Sequence, residues 1–200
     1  SSTMLFSVVE QLNRAVVLIT ETDEQIQLAS LNLHAAERAK FAGVWDVAAR
    51  YAKKGMQLLA DDAWETQYTL SYALHIVRIE CEYLNTQTDL GNQLSETVLQ
   101  HAKSAFEKAN ICRLQLTHNL NKKIVWAIER GLDGLRYCGL SFLSLQQIDD
   151  EFADKEEKAL AETFKKVDVS KALLTVKDTD SELLQLECLL LVRLSGYSQV

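Results

Sequence analysis

The 200-residue sequence predicts an all-α fold built as an array of antiparallel helical hairpins, an α-solenoid. Three observations predict it. The chain contains no proline, where about ten would be usual for this length, and only seven glycines. It is rich in Leu, Ala, Gln, Glu and Lys, all good helix formers. The spacing apolar-apolar-x-x-small-x-x-small occurs at Ala48-Ala49…Ala52…Gly55, Val98-Leu99…Ala102…Ala105 and Ala127-Ile128…Gly131…Gly134. Positions i, i+4 and i+7 share one helix face, so each copy predicts a smooth stripe that a second helix can approach closely.

The elements follow in order. The first helix is expected from Thr3 to Ile19, with Phe6, Val9, Leu12 and Val16 on one face. Thr22 and Gln25 have capping-box spacing and open a second helix that Gly43 closes. A third runs from Trp45 to Leu59 and carries the first small-residue stripe. Asp62 and Glu65 then begin a long fourth helix reaching Leu84. That helix is apolar on two sides: Leu70, Ala73, Leu74, Val77, Cys81 and Leu84 on one, Trp64, Tyr68, Tyr72, Ile76, Ile79 and Tyr83 on the other. Two apolar sides predict contact on two sides, as for a helix inside a stack.

After the polar turn at 85–88, a fifth helix is expected to reach Lys108 and carry the second stripe. A sixth covers Ile111–His118. The seventh, Lys122–Cys138, carries the third stripe and stops at Gly139. Helices are also expected at Asp149–Lys166 and Asp178–Leu194, the latter opened by Thr179 and Glu182. Val167–Lys177 reads as either a short helix or a loop. The stripes begin at 48, 98 and 127, so the period is irregular, and the expected fold is a tetratricopeptide-like array without strict repeats, forming one domain over 1–200.

Charge and cysteines narrow the function classes. A net charge of −7 argues against a nucleic-acid groove, and a basic pair such as Lys122-Lys123 is too small to carry much phosphate binding. Cys81, Cys112, Cys138 and Cys188 are scattered, with no CxxC, and read as buried reduced thiols in a cytoplasmic protein. No apolar run is long enough to span a membrane, and no signal-peptide pattern opens the chain. Ser1-Ser2 without an initiator methionine, and the abrupt end at Val200, read as a piece of a longer protein.

No catalytic constellation emerges. The phosphate-loop pattern GxxxxGK[ST] and the zinc pattern HExxH are both missing, and His34, His75, His101 and His118 are too scattered for a metal site by spacing. His34, three residues before Glu37, reads as a surface or packing histidine before a phosphoacceptor. The carboxylates at Asp149–Glu157 alternate with Lys155 and Lys158, as on a solvated helix face. Hence no cofactor, metal or catalytic residue is expected. Trp64, Tyr68 and Tyr72, at i, i+4 and i+8, form a stripe with two readings. One is packing between hairpins; the other is the aromatic wall of a protein-binding groove framed by Arg78 and Glu82. The leucine-rich helix Leu183–Leu194 lacks a polar outer side and suggests self-association or burial against further helices.

Several segments resemble one family. They are Phe6–Arg14 (FSVVEQLNR), Leu31–Lys40 (LNLHAAERAK), Tyr51–Leu59 (YAKKGMQLL), Asp62–Tyr68 (DAWETQY), Glu80–Asn85 (ECEYLN) and Ala127–Leu135 (AIERGLDGL). The wording continues into Asp178–Leu194 and departs around Thr163–Lys177, where the family commonly has proline. Together they resemble the helical region between the AAA/STAND-type ATPase and the GAF and histidine-kinase domains of large multidomain sensor kinases of bacteria and fungi. The resemblance implies a non-catalytic protein-interaction and signal-relay module in an ATPase-coupled two-component signalling kinase, its partners being other domains of the parent chain. The family has no catalytic residue in this region to carry over. A second reading is a free-standing tetratricopeptide-like adaptor that binds a peptide or partner protein. A third, an all-helical metal enzyme, needs paired ExxH motifs and finds none.

Overall fold

The computed structural model describes residues 2–140, and among them every regular element is helical, with no strand. The helices are α1 (Ser2–Arg14), α2 (Thr22–Phe41), α3 (Trp45–Leu58), the single turn α4 (Ala63–Thr66), α5 (Tyr68–Leu84), α6 (Thr88–His101), α7 (Ala105–Asn119) and α8 (Ile124–Tyr137). The two helices expected beyond Asp149, the loop reading of Val167–Lys177, Cys188 and the leucine-rich segment lie outside the described residues. The chain divides after His101 into two compact units.

In the first unit α2, α3 and α5 pack side by side, α1 rests on α2, and α6 pairs with α5. The stripe on α3 is real: Ala48, Ala49, Ala52 and Gly55 are all buried. Gly55 marks the closest approach, since a Cβ there would stand 2.6 Å from Leu74 Cδ2 on α5 and 3.2 Å from the Ala29 carbonyl oxygen on α2. The facing side of α2 is also small, with Ala29, Ala35, Ala36 and Ala39 buried. Both apolar sides expected of the fourth helix hold buried residues: Leu74, Val77 and Cys81 on one, Ile79 and Tyr83 on the other. A reciprocal amide pair fixes α1 against α2. Asn13 and fully buried Asn32 each donate to the other's side-chain oxygen at 2.9 Å, and Asn32 also donates to the Leu28 carbonyl. A buried amide with its groups satisfied favours one register of the two helices.

Three helices end alike. After α2, the amide of Gly43 donates to Lys40 O and that of Val44 to Ala39 O; after α8, Gly139 donates to Arg136 O and Leu140 to Leu135 O. Both glycines have positive φ, 76° and 92°, as this double-bonded helix stop requires. The stop after α5 is the same, with Thr86 bonded to Tyr83 O and Gln87 to Glu82 O, but it places a β-branched residue at φ 62°.

Several expected boundaries are corrected. α1 ends at Arg14 rather than Ile19; the β-branched run that follows forms only a 3-10 turn, Val16–Leu18, and Ile19 is extended. The Thr22/Gln25 capping box does not form. Glu21 occupies the cap position with no side-chain cap bond, and the Gln25 amide donates instead to Ile19 O at 3.1 Å. The long fourth helix is interrupted: Gln67 leaves the helical basin (φ −129°, ψ 41°), separating α4 from α5. Hydroxyls hold that bend, Thr66 Oγ1 donating to Asp62 O and Ser71 Oγ to Ala63 O. Finally, the fifth helix ends at His101 and the sixth begins at Ala105, so Val98-Leu99 and Ala105 do not share a helix and the second stripe dissolves. The cause is a capping box: Ser104 accepts from the Glu107 amide while the Glu107 carboxylate accepts from the Ser104 amide.

In the second unit α7 and α8 form a hairpin around Ala109, Leu116, Leu120, Ala127 and Leu135. The third stripe is confirmed, with Ala127, Gly131 and Gly134 buried on α8. Asp133 accepts from both Arg130 and Arg136 at 2.6 Å on the same helix.

Candidate protein-binding surface

The bend at Gln67 decides where the aromatic stripe points. Trp64, on the short α4, and Tyr68 and Tyr72, on α5, are each half-buried and form a ladder: Trp64 to Tyr68, 6.0 Å between ring centroids; Tyr68 to Tyr72, 6.2 Å and nearly parallel. Trp64 is also wedged between two imidazoles, His75 at 4.7 Å and His101, stacked, at 4.6 Å. The packing reading accounts for the Trp64 end of the ladder, while Tyr68 and Tyr72 are only partly buried.

His75 is buried and makes a 2.7 Å hydrogen bond between Nδ1 and the Ser71 carbonyl. A carbonyl only accepts, so Nδ1 carries the proton in the neutral ring. Burial pushes the His75 pKa below its ordinary value, the Ser71 bond opposes this, and the electrostatic influence of His101 and of the Arg78 guanidinium lowers it further.

Arg78 and Glu82, expected to frame the ladder, are both buried and pair with each other at 3.1 Å one turn apart on α5. Arg78 reaches the ladder only indirectly, through its field at His75. The pair lines a separate open concavity of about 470 Å³ together with Arg50 and Lys53 of α3 and Asn85 and Gln87 of the α5–α6 turn. Asp46, one turn before Arg50, lies at its edge. Arg50 also borders a second concavity, about 200 Å³, with Glu10, Arg14, Tyr51 and Lys54. There Glu10 lies 3.8 Å from Arg14 and accepts from Tyr51 at 3.5 Å, and burial followed by the Glu10 charge raises the Tyr51 pKa.

Arg50 and Lys53 were not among the residues singled out from the sequence. Their signal is present in Asp46, Arg50 and Lys53 at i, i+4 and i+7, a polar stripe beside the small one. A charged stripe on an amphipathic helix, however, reads first as ordinary solvated surface.

Among the described residues no group of three or more His, Cys, Asp or Glu could hold a metal ion. Among the described residues Cys81 and Cys112 are buried and Cys138 half-buried, none of them in a disulfide, and burial pushes the Cys81 thiol up to about 11. A thiol so buried is a packing group rather than a nucleophile. His34 is exposed on α2. No helix of the described residues is long and apolar enough to cross a membrane. No protein-family model matches the chain, and no curated protein or solved structure is significantly similar to it.

Proposed function

We propose that the chain is a non-catalytic protein-interaction and signal-relay module, an irregular tetratricopeptide-like array within a cytoplasmic, ATPase-coupled sensor kinase. The resemblance quoted above motivates the kinase context. The observation that carries the interaction reading is the ladder: three large aromatic side chains in a row, each only partly buried, across α4 and the start of α5. Aromatic rings presented on a rigid element bind partners at low entropic cost. Relay follows from packing. Helices as close as α2, α3 and α5 shift as bodies rather than deform, so a displacement at one end is felt at the other.

The test is capture of the flanking ATPase and kinase regions, expressed from the natural reading frame, by this segment and by its Trp64→Ala and Tyr68→Ala variants. Capture by the wild type and its loss in a variant whose circular dichroism is unchanged is expected. Undiminished capture by both folded variants would refute the ladder as a contact, and a natural reading frame without ATPase or kinase motifs would refute the relay.

A further inference from the structure

The concavity between α3 and α5 is positively charged within a chain of net charge −7. Across it and its smaller neighbour five basic residues (Arg14, Arg50, Lys53, Lys54, Arg78) face three acidic ones. Two of the three are engaged: Glu82 with Arg78 at 3.1 Å, Glu10 with Arg14 and Tyr51. Arg50 and Lys53 are exposed, and among the described residues neither is in an ion pair. Arg50 lies over the Tyr51 ring, 5.8 Å from its centre, and interacts with the Tyr51 hydroxyl. Two exposed cations on successive turns, neither in an ion pair, thus line one concavity with the buried Arg78 and two side-chain amides, Asn85 and Gln87.

We propose that this concavity docks an acidic protein segment, its Asp or Glu side chains meeting Arg50 and Lys53 and its main chain meeting the amides of Asn85 and Gln87. The proposal rests on the interaction-module reading and gives it a partner chemistry. Charge complementarity selects the occupant. The amides, each with a donor and an acceptor, suit a peptide backbone. A single-stranded nucleic acid is the competing occupant; it offers no peptide main chain to the amides of Asn85 and Gln87.

The experiment is a fluorescence-anisotropy titration of a labelled octapeptide of alternating Asp and Glu with the whole chain. It is repeated with the Arg50→Glu/Lys53→Glu variant and with Lys122→Glu/Lys123→Glu, which makes the same charge change elsewhere. The wild type is expected to bind, more weakly as salt rises from about 50 to about 200 mM. The groove variant should lose about tenfold or more in affinity, the control less than about twofold. Arg50→Gln/Lys53→Gln should lose affinity in the same direction and serves if charge reversal disturbs α3. No binding of the acidic peptide, an equal loss in the control, or tighter binding of a labelled single-stranded oligonucleotide would overturn the proposal. If the groove variant fails to bind the peptide less well yet still captures the flanking domains, the groove falls and the interaction module stands. If no variant nor the wild type captures them while the groove binds the peptide as expected, the reverse holds.

Discussion

Replacing Gly91 with alanine tests the packing of α5 on α6. A Cβ at Gly91 would lie 2.6, 2.7 and 3.1 Å from Cε1, Cδ1 and Cζ of Tyr83. The ring has nowhere to go: Tyr83 is buried, and its hydroxyl bonds Asn92 Oδ1 at 2.7 Å and Ser95 Oγ at 3.3 Å. On an open helix, alanine would stabilise by about 1 kcal/mol. Here, overpacking costs about 1–3 kcal/mol, and displacing the ring endangers two hydrogen bonds worth about 1 kcal/mol each. Gly91→Ala should therefore destabilise by about 2–3 kcal/mol, measured by urea unfolding followed by circular dichroism. In a Tyr83→Leu background the obstacle is gone, and the same change should be neutral or stabilising by about 1 kcal/mol. The double-mutant cycle then gives a coupling near 3 kcal/mol. A Gly91→Ala protein as stable as the parent, or a coupling below about 0.5 kcal/mol, would refute the close approach.

Other outcomes follow from the same packing. Glu82→Ala leaves the buried Arg78 charge uncompensated, with its Nε already lacking a partner, and should cost about 3 kcal/mol. Arg78→Met/Glu82→Leu removes both charges and should stay within about 1 kcal/mol of the parent in the same unfolding assay. Thr86→Gly relieves a β-branched residue at φ 62° and should gain about 0.5–1 kcal/mol after the extra chain entropy of glycine is subtracted. Because the folded His75 pKa lies below the unfolded value of about 6.5, the unfolded chain binds more protons as pH falls. The His75 contribution is thus complete above about pH 6.5 and shrinks as pH drops toward the folded value. Urea midpoints from pH 8 to pH 5 should fall less steeply in His75→Phe than in the parent.

How much was legible in the sequence depended on whether a signal was local. Gly43 and Gly139 mark helix ends in the sequence because the left-handed stop favours glycine, and both sit at such stops. The stop at Thr86 uses the same geometry without the glycine, and it was recognised only through the polarity of the turn. The stripe at Ala48–Gly55 was readable since all its members lie on one uninterrupted helix. The stripe across Val98–Ala105 had the same spacing, but the Ser104/Glu107 capping box inside it overrides the periodicity. The reverse happened at Thr22, whose box spacing is intact while Gln25 is drawn to the Ile19 carbonyl. For the candidate site, the ladder Trp64–Tyr68–Tyr72 follows from i, i+4 spacing even through the bend at Gln67. Its contact with His101 does not, since that residue comes from another helix. The groove was out of reach for the same reason. Arg50 and Arg78 are far apart in sequence and meet only because α3 packs on α5.

The central claim is that these helices serve as a binding scaffold while reactions occur elsewhere. Amide hydrogen exchange measures it most directly, comparing this segment alone with the same segment in the protein made from its natural reading frame. Protection gained along 46–54 and 64–72, with little change in the already buried core of α2, is the expected result. Identical exchange in both proteins across those two stretches would contradict it.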